Sequence, residues 1–347
     1  MASSSSIYIL GVGSIGCFVA HSLRSLPDKP PITLLFHRES LRREFVSTGQ
    51  KIGLQVGEDG DVDEQSGFNV EVLGVDSTPT SPIRCLIVTV KASVTVDAIG
   101  PVKERLGRDS VICLFQNGLG QVEELNQQLF PDPATRPTYM FGIVRHGVYL
   151  KSAFQAVLAG RIGCVSVGFV DADGLATSQP RNRFLVDTLL QSATLNCEEL
   201  DWTSLFRDQL LKLAANCVLN PLTALLDVRN GLIADMVQVK PLITRLLEEI
   251  STVFGRLPEI HHFSNHDPSW FSPASLEAVV MDTIRKTAGN SSSMREDIRK
   301  GRPTEIEFIN GWIIKRGREL GVECVANLSL IELILARSSI SDQQATA

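Results

Sequence analysis

Apolar and polar positions follow different rhythms in the two halves of the chain. The first half carries short, unbroken apolar runs: IYIL from Ile7, ITLLF (32–36), CLIVTV (85–90) and SVICLF (110–115). Runs of this kind, apolar throughout rather than at alternate positions, suit strands buried on both faces of a parallel sheet. Helical patterns lie between them, after the first glycines, around Leu41–Val46 and over Val94–Leu106, with another over Phe184–Leu195. Gly53–Val56 and Asn69–Leu73 read as further strands or hairpins. The β-branched stretches between Tyr139 and Val170 predict strands that finish the sheet. From Asp201 onward the period is helical almost throughout, with helices predicted over Asp235–Gly255, Phe271–Gly289, Pro303–Leu320 and Asn327–Arg337. The change of rhythm near Leu195–Asp201 divides the chain into an α/β domain, residues 1–198, and an all-α domain, residues 199–347.

The helix that organises the second half is KLAANCVLNPLTALLDVRNG, Lys212–Gly231, which Asp201 or Thr203 can cap. Lys212, Asn216 and Asn220 recur at steps of four, so they form one slowly drifting stripe about 12 Å long. Leu213, Ala214, Ala215, Val218 and Leu219 between them are residues of a packed helix. A buried lysine and two amides need partners, so they satisfy each other or face a ligand. The alternative is a polar stripe that faces water. Pro221 is expected to kink or end the helix. Further on, Asn290 and Ser293 fall in a polar turn, and Pro303 is expected to open the next helix. At about 100° per residue, Glu305 lies within about 40° of Ile309 and about 20° of Trp312, so it edges the buried face, while Glu307 points to solvent. Glu305 also sits where a carboxylate complements a helix N-terminus, and both readings fit the sequence.

In the first half, Gly11, Gly13 and Gly16 form G-x-G-x-x-G between a strand and a helix, with a second strand at the right distance. That context predicts a Rossmann-type dinucleotide-binding domain. Gly11 allows the tight turn, Gly13 the approach of a pyrophosphate, and Gly16 close helix packing, with the helix N-terminus at the phosphates. The second strand ends in FHRES, placing His37 and Arg38 where NADH enzymes usually carry an acid. A guanidinium suits a 2′-phosphate and so favours NADPH, while Glu39, one position later, keeps NADH open. Lys91 and Asn117 follow the next two buried strands, so four strand ends carry ligand-type groups where open α/β sheets bind their ligands.

Composition narrows the partners. The net charge of −6 over 347 residues, with only RKGR (299–302) and KRGR (315–318) as basic knots, argues against nucleic acid. The seven cysteines lack C-x-x-C spacing and mostly sit in apolar runs, as buried thiols in a reducing compartment do. His261, His262 and His266 in HHFSNHD read as a loop rather than a metal site. No uncharged apolar run reaches spanning length, Lys151 and Arg161 breaking the best candidate, and MASSSS fits neither a signal nor a transit peptide. The expectation is a cytoplasmic protein with no metal and no membrane partner.

The segments GVGSIG, VTVKAS, QNGLG, KLAANCVLNPLTAL, RNG and NSSSMREDIRKGRPTEIEFING together resemble the 2-dehydropantoate 2-reductase (ketopantoate reductase) family, from Ile7 to about Leu335. The resemblance implies a Rossmann-type domain followed by a helical domain, with the active site in the cleft between them. It also implies NADPH-dependent reduction of 2-dehydropantoate to (R)-pantoate, on the way to coenzyme A. It makes Lys212 the proton donor to the ketone oxygen and puts Asn117 near nicotinamide and substrate. Asn216, Asn220, Asn290 and Ser293 would line the substrate, and Glu305 would hold a substrate hydroxyl or orient the lysine. Gly11, Gly13, Ser14, Ile15 and Gly16 would cradle the cofactor, Arg38 would take its 2′-phosphate, and Lys91 would be the cofactor-side lysine. The expected partner is a small 2-oxo acid, and a homodimer is compatible with the family. The chain departs from the family pattern at Ile143–His146, at Leu158–Gly160 and in ECVAN before Asn327, which bears on substrate choice because the family includes paralogues acting on other 2-oxo acids or ketones. A non-catalytic NADPH sensor would be expected to lose the lysine or the carboxylate, and both are present.

Overall fold

The apolar runs of the first half become the inner strands of one sheet. The computed structural model describes residues 6–74, 81–160, 163–170, 182–261, 263 and 267–346. Its first unit, Met1–Gln116 with Gln121–Leu205, contains the twelve strands found among the described residues. These are β1 (Ile7–Leu10), β2 (Ile32–Phe36), β3 (Ile52–Val56), β4 (Val62–Gln65), β5 (Asn69–Val72), β6 (Cys85–Val88), β7 (Val111–Leu114), β8 (Thr138–Val144), β9 (Val148–Ser152), β10 (Gln155–Leu158), β11 (Val165–Val170) and β12 (Cys197–Glu199). The main sheet runs β12-β11-β8-β7-β6-β1-β2-β5, parallel from β8 to β5. β11 is antiparallel to β8, and β12 is parallel to β11. Counted within this sheet alone, the six parallel strands have the 3-2-1-4-5-6 order of doubly wound dinucleotide folds, with the reversal between β1 and β6. Every residue of β1, β2, β6 and β7 is buried, as strands covered on both faces require.

The stretch after Tyr139 does not simply finish this sheet. β8 and β11 do, but β9 and β10 leave it to form a second sheet, β4-β3-β10-β9. There β3 and β10 pair in parallel and the outer strands are antiparallel. Aromatic packing accounts for the detour. Phe154, in the turn before β10, stacks edge-on against Phe45 at 4.9 Å and lies 6.0 Å from Phe36, so the cluster beside β2 is covered by a segment far along the chain.

The helices of the first unit are α1 (Ser14–Arg24), α2 (Glu39–Ser47), α3 (Thr95–Ile99), α4 (Gln121–Gln128) and α5 (Phe184–Leu190). The helix expected over Val94–Leu106 is broken into 3₁₀ turns on either side of α3, because Pro101 has no N–H to give and restricts the residue before it. α5 stops at Leu190, short of the expected Leu195.

The second unit, Asn117–Gly120 with Phe206–Ala347, is helical. It contains most of α6 (Trp202–Leu226), then α7 (Leu232–Asp235), α8 (Lys240–Gly255), α9 (Pro258–His261), α10 (Pro273–Lys286), α11 (Ser293–Arg299), α12 (Ile306–Glu319) and α13 (Val325–Thr346). Three expectations shift. Pro221 does not end α6, which continues five residues past it to Leu226. Pro303 does not open α12, which starts at Ile306 behind Glu305. The turn holding Ser293 is itself the start of α11, because Ser292 caps it by accepting from Arg295 N. α6 is long and apolar enough to cross a membrane by length and composition, but most of it is buried inside the protein, as in a core helix.

Candidate active site

The glycine turn is held from both sides. Gly11 has φ +99°, and a Cβ there would lie 2.7 Å from the Val90 nitrogen. The Thr89 hydroxyl donates to Gly11 O and, at 3.2 Å, to Leu10 O. A Cβ on Gly16 would collide with Gly11 O and approach Thr89 Oγ1 to 2.8 Å. Gly13 differs: it is exposed, nothing lies within 4 Å of a Cβ placed there, and as N-cap of α1 it gives the helix no side-chain acceptor. The first amides of α1, starting at Ser14 and Ile15, therefore lack a side-chain cap beneath an open glycine, a cradle that fits a pyrophosphate. Thr89 and Val90 follow β6 at the strand reversal, where such folds bind their ligands. Gln116 steadies that loop, donating from Nε2 to Val90 O at 2.8 Å and to Thr95 Oγ1 at 2.7 Å. These three residues were missed in the sequence, although their places after β6 and β7 marked them. Lys91 follows Val90 and is half-buried.

At the end of β2, His37 and Arg38 are exposed, and partial burial with the neighbouring Arg38 charge lowers the His37 pKa. Glu39 is already engaged: its Oε1 accepts from Arg42 at 2.7 Å and lies 3.6 Å from Arg43. The carboxylate that kept NADH open is thus turned back along its own helix.

At the start of α6, the Asp201 carboxylate accepts from Ser204 N at 3.1 Å and from Ser204 Oγ at 2.8 Å. Along α6, Lys212 and Asn216 are half-buried and Asn220 is buried, while Leu213, Ala214, Ala215, Val218 and Leu219 pack inside. Thr223 continues the stripe. Its hydroxyl donates to Leu219 O at 2.7 Å and pairs with Ser292 Oγ at 2.7 Å. Ser292, rather than the exposed Ser293, therefore ties the α11 turn to α6. Asn290 is half-buried, and its carbonyl accepts from Asn230 N at 3.1 Å. Thr223 and Ser292 escaped the sequence reading because one hydroxyl among three serines carries no periodic signal.

Glu305 and Asn117 are brought together. Glu305 is 5% exposed at the N-cap of α12, and its Oε2 accepts from Asn117 Nδ2 at 3.3 Å. The segment is seated by backbone as well: Leu119 N donates to Phe308 O at 3.0 Å. Gly118, at φ +77°, packs so closely on Phe308 that a Cβ would strike it. Glu307, two residues on, is exposed. His262 and His266 lie outside the described residues, as does Arg161. Among the described residues no three His, Cys, Asp or Glu side chains gather as a metal site.

The strand order, the glycine cradle at its reversal and the helical unit with its lysine–amide stripe define a two-unit oxidoreductase of the dinucleotide-binding class. The model of the ketopantoate reductase PanE/ApbA family matches residues 7–172, and that of the family's C-terminal region matches residues 204–338. The chain belongs to the ketopantoate reductase family. It is 27% identical over 359 residues to the probable 2-dehydropantoate 2-reductase of Schizosaccharomyces pombe, covering 99% of each. It is 31% identical over 252 residues to the 2-dehydropantoate 2-reductase of Vibrio cholerae, covering 72% of this chain and 76% of that one. Its fold is shared with D-mandelate dehydrogenase, solved as a ternary structure with NADH and anilino(oxo)acetate, at TM-score 0.79 and 19% identity over 97% of this chain and 99% of that one.

Proposed function

We propose that the protein reduces the ketone of a 2-oxo acid to the 2-hydroxy acid with NADPH, and that the substrate is 2-dehydropantoate, giving (R)-pantoate for coenzyme A biosynthesis. The observation that carries this reading is the bond between Asn117 and the buried Glu305 in the unit that also holds the Lys212 stripe. Ketone reduction needs a proton source on oxygen and fixed polar groups around the carbonyl, and these residues supply that chemistry. When bound, NADPH supplies the hydride to the carbonyl carbon. Lys212 Nζ gives its proton to the ketone oxygen, and its half-buried position limits the water competing for the ammonium. Asn216 and Asn220 donate amide N–H groups to the substrate, with Asn290 and Ser293 at the edge of the same site. Glu305 accepts from a substrate hydroxyl and holds Asn117 in place. Gly11, Gly13, Ser14, Ile15, Gly16 and Lys91 hold the cofactor. Arg38 takes the 2′-phosphate, and the pairing of Glu39 Oε1 with Arg42 supports that preference by engaging one oxygen of the competing carboxylate.

The test is oxidation of NADPH against a panel of 2-oxo acids, with Lys212→Ala as control. Turnover of 2-dehydropantoate above the others, with kcat lowered by orders of magnitude in Lys212→Ala and NADPH affinity kept, is the expected result. Preference for another member of the panel makes the chain a paralogue with a different 2-oxo acid. Inactivity on every member with NADPH still bound makes it a sensor.

A further inference from the structure

α6 carries the proposed proton donor and two substrate amides, and it passes through Pro221 without ending. Proline has no N–H, so the carbonyl four residues back, that of Cys217, loses its helical donor and is crowded by the ring. Cys217 is fully buried, and water is a poor replacement there. The replacement is Asn310 on α12, whose Nδ2 donates to Cys217 O at 3.0 Å. The same nitrogen donates to Asn327 Oδ1 at 2.9 Å, and Asn327 Nδ2 donates to Glu249 Oε2 at 2.8 Å. Glu249 on α8 also accepts the backbone N–H groups of Ala326 and Asn327, at 2.7 and 3.1 Å, capping the start of α13.

This chain of bonds has a direction. A carboxylate only accepts, so Glu249 fixes Asn327 with its NH₂ towards the acid and its oxygen towards Asn310. Asn327 in turn fixes Asn310 with its NH₂ outward, towards the one helical carbonyl that Pro221 leaves without a donor. Asn310 and Asn327 are both 0% exposed, so no solvent competes for the arrangement. The carbonyl they reach lies between Asn216 and Asn220 in the helix.

We propose that Asn310 is a positioning residue for the reduction. By standing in for the missing N–H it keeps α6 helical across Pro221, and so holds Asn216 and Asn220 on the stripe with Lys212. The inference rests on the assignment of those residues under the proposed function. Without the donor, a buried carbonyl is left unsatisfied beside Asn216 and Asn220, and the helix must open there to reach water.

The test is a cycle of Asn310→Ala, Pro221→Ala and the double variant, read by kcat, KM for the 2-oxo acid, NADPH affinity and unfolding midpoint. An alanine at 221 restores a backbone N–H opposite Cys217 O, which makes Asn310 dispensable in its proposed role. Asn310→Ala is expected to lower kcat by about ten- to a hundredfold, as loss of a buried partner does, with NADPH affinity unchanged. Pro221→Ala is expected to keep most activity, and the double variant to regain most of the kcat that Asn310→Ala loses. A double variant no better than Asn310→Ala overturns the proposal, because Asn310 then matters for packing alone. Where Asn310→Ala does not fold, recovery of a folded, active double variant supports the proposal and its absence overturns it. Normal kcat in Asn310→Ala together with an impaired Lys212→Ala overturns the positioning role alone. Normal kcat in Lys212→Ala overturns the reduction assignment and the positioning role with it.

Discussion

Replacing Glu305 by glutamine keeps the length and shape of the side chain and removes its charge. Glu305 is 5% exposed and accepts from Asn117, whereas Glu307, one turn-face away on the same helix, is exposed. A hydrogen bond to a charged group is worth about 1.5–3 kcal/mol and a neutral one about 0.5–1.5, so the exchange removes about 1–2 kcal/mol from each bond the carboxylate makes to substrate or Asn117. At about 1.4 kcal/mol per tenfold, kcat/KM should fall roughly five- to thirtyfold for one such bond. Glu307→Gln should leave kcat/KM close to the wild-type value, because the Glu307 side chain is exposed. Both changes remove a negative charge from the start of α12, costing each variant about 0.3–1 kcal/mol of helix stability, so their thermal midpoints serve as a shared baseline. The assay is steady-state kcat and KM at saturating NADPH for both variants, with thermal unfolding alongside. Equal losses of activity would refute the reasoning. So would a fall in Glu305→Gln wholly accounted for by a lower midpoint.

Three further outcomes follow from the first unit. Arg38→Ala should erase most of the preference for NADPH, about ten- to a hundredfold in kcat/KM for a charge-assisted bond to the 2′-phosphate, while NADH use changes little; a full NADPH preference in the variant removes the arginine from that role. Gly13→Ala should leave the unfolding midpoint unchanged and weaken dinucleotide binding, because its Cβ meets nothing in the protein, whereas Gly16→Ala should destabilise through its collision with Gly11 O; titration calorimetry and thermal unfolding of the two variants separate these effects. Burial lowers the pKa of His21 below its ordinary value of 6.5, opposed by Asp63, whose carboxylate lies 3.2 Å away. The folded chain then resists the proton that the unfolded chain accepts, so stability is full above that ordinary value and declines as pH falls towards the depressed one. Urea midpoints should drop from about pH 7.5 to about pH 5.5, and His21→Gln should flatten the slope; an unchanged slope refutes the role of His21.

Local rules made much of the fold legible. The strand, glycine turn and helix from Ile7 to Arg24 obey propensity, period and turn chemistry together, so the strand, turn and helix expected there all form. The second sheet was not legible, because β10 is placed by Phe154 reaching Phe45 and Phe36 rather than by anything within its own four residues. Pro221 misled for a similar reason: the residue that lets the helix continue, Asn310, sits on another helix. Pro303 misled because Glu305, rather than the proline, occupies the N-cap of α12. At the candidate site, the four-residue step on α6 signalled Lys212, Asn216 and Asn220, and the angular position of Glu305 signalled its burial. Nothing in the sequence linked Glu305 to Asn117, since that contact depends on Gly118 lying close against Phe308. The choice of Ser292 over Ser293 depends on Thr223 across the helix pair.

The parallel pairing of β3 with β10 sets the order in which the first unit can be built during synthesis. Gly53 meets Gln155 and Val56 meets Leu158, so β3 leaves the ribosome roughly a hundred residues before its partner. Over that interval the one strand paired with β3 is β4, an exposed strand, and a hairpin of two strands is marginal alone. Phe45 meanwhile waits without the ring of Phe154. A nascent chain halted before Gln155 should therefore remain open to protease around α2 and β3, and one halted after Val170 should resist it. The glycine cradle is among the first pieces made, yet the sheet that covers the helix behind it is among the last to close.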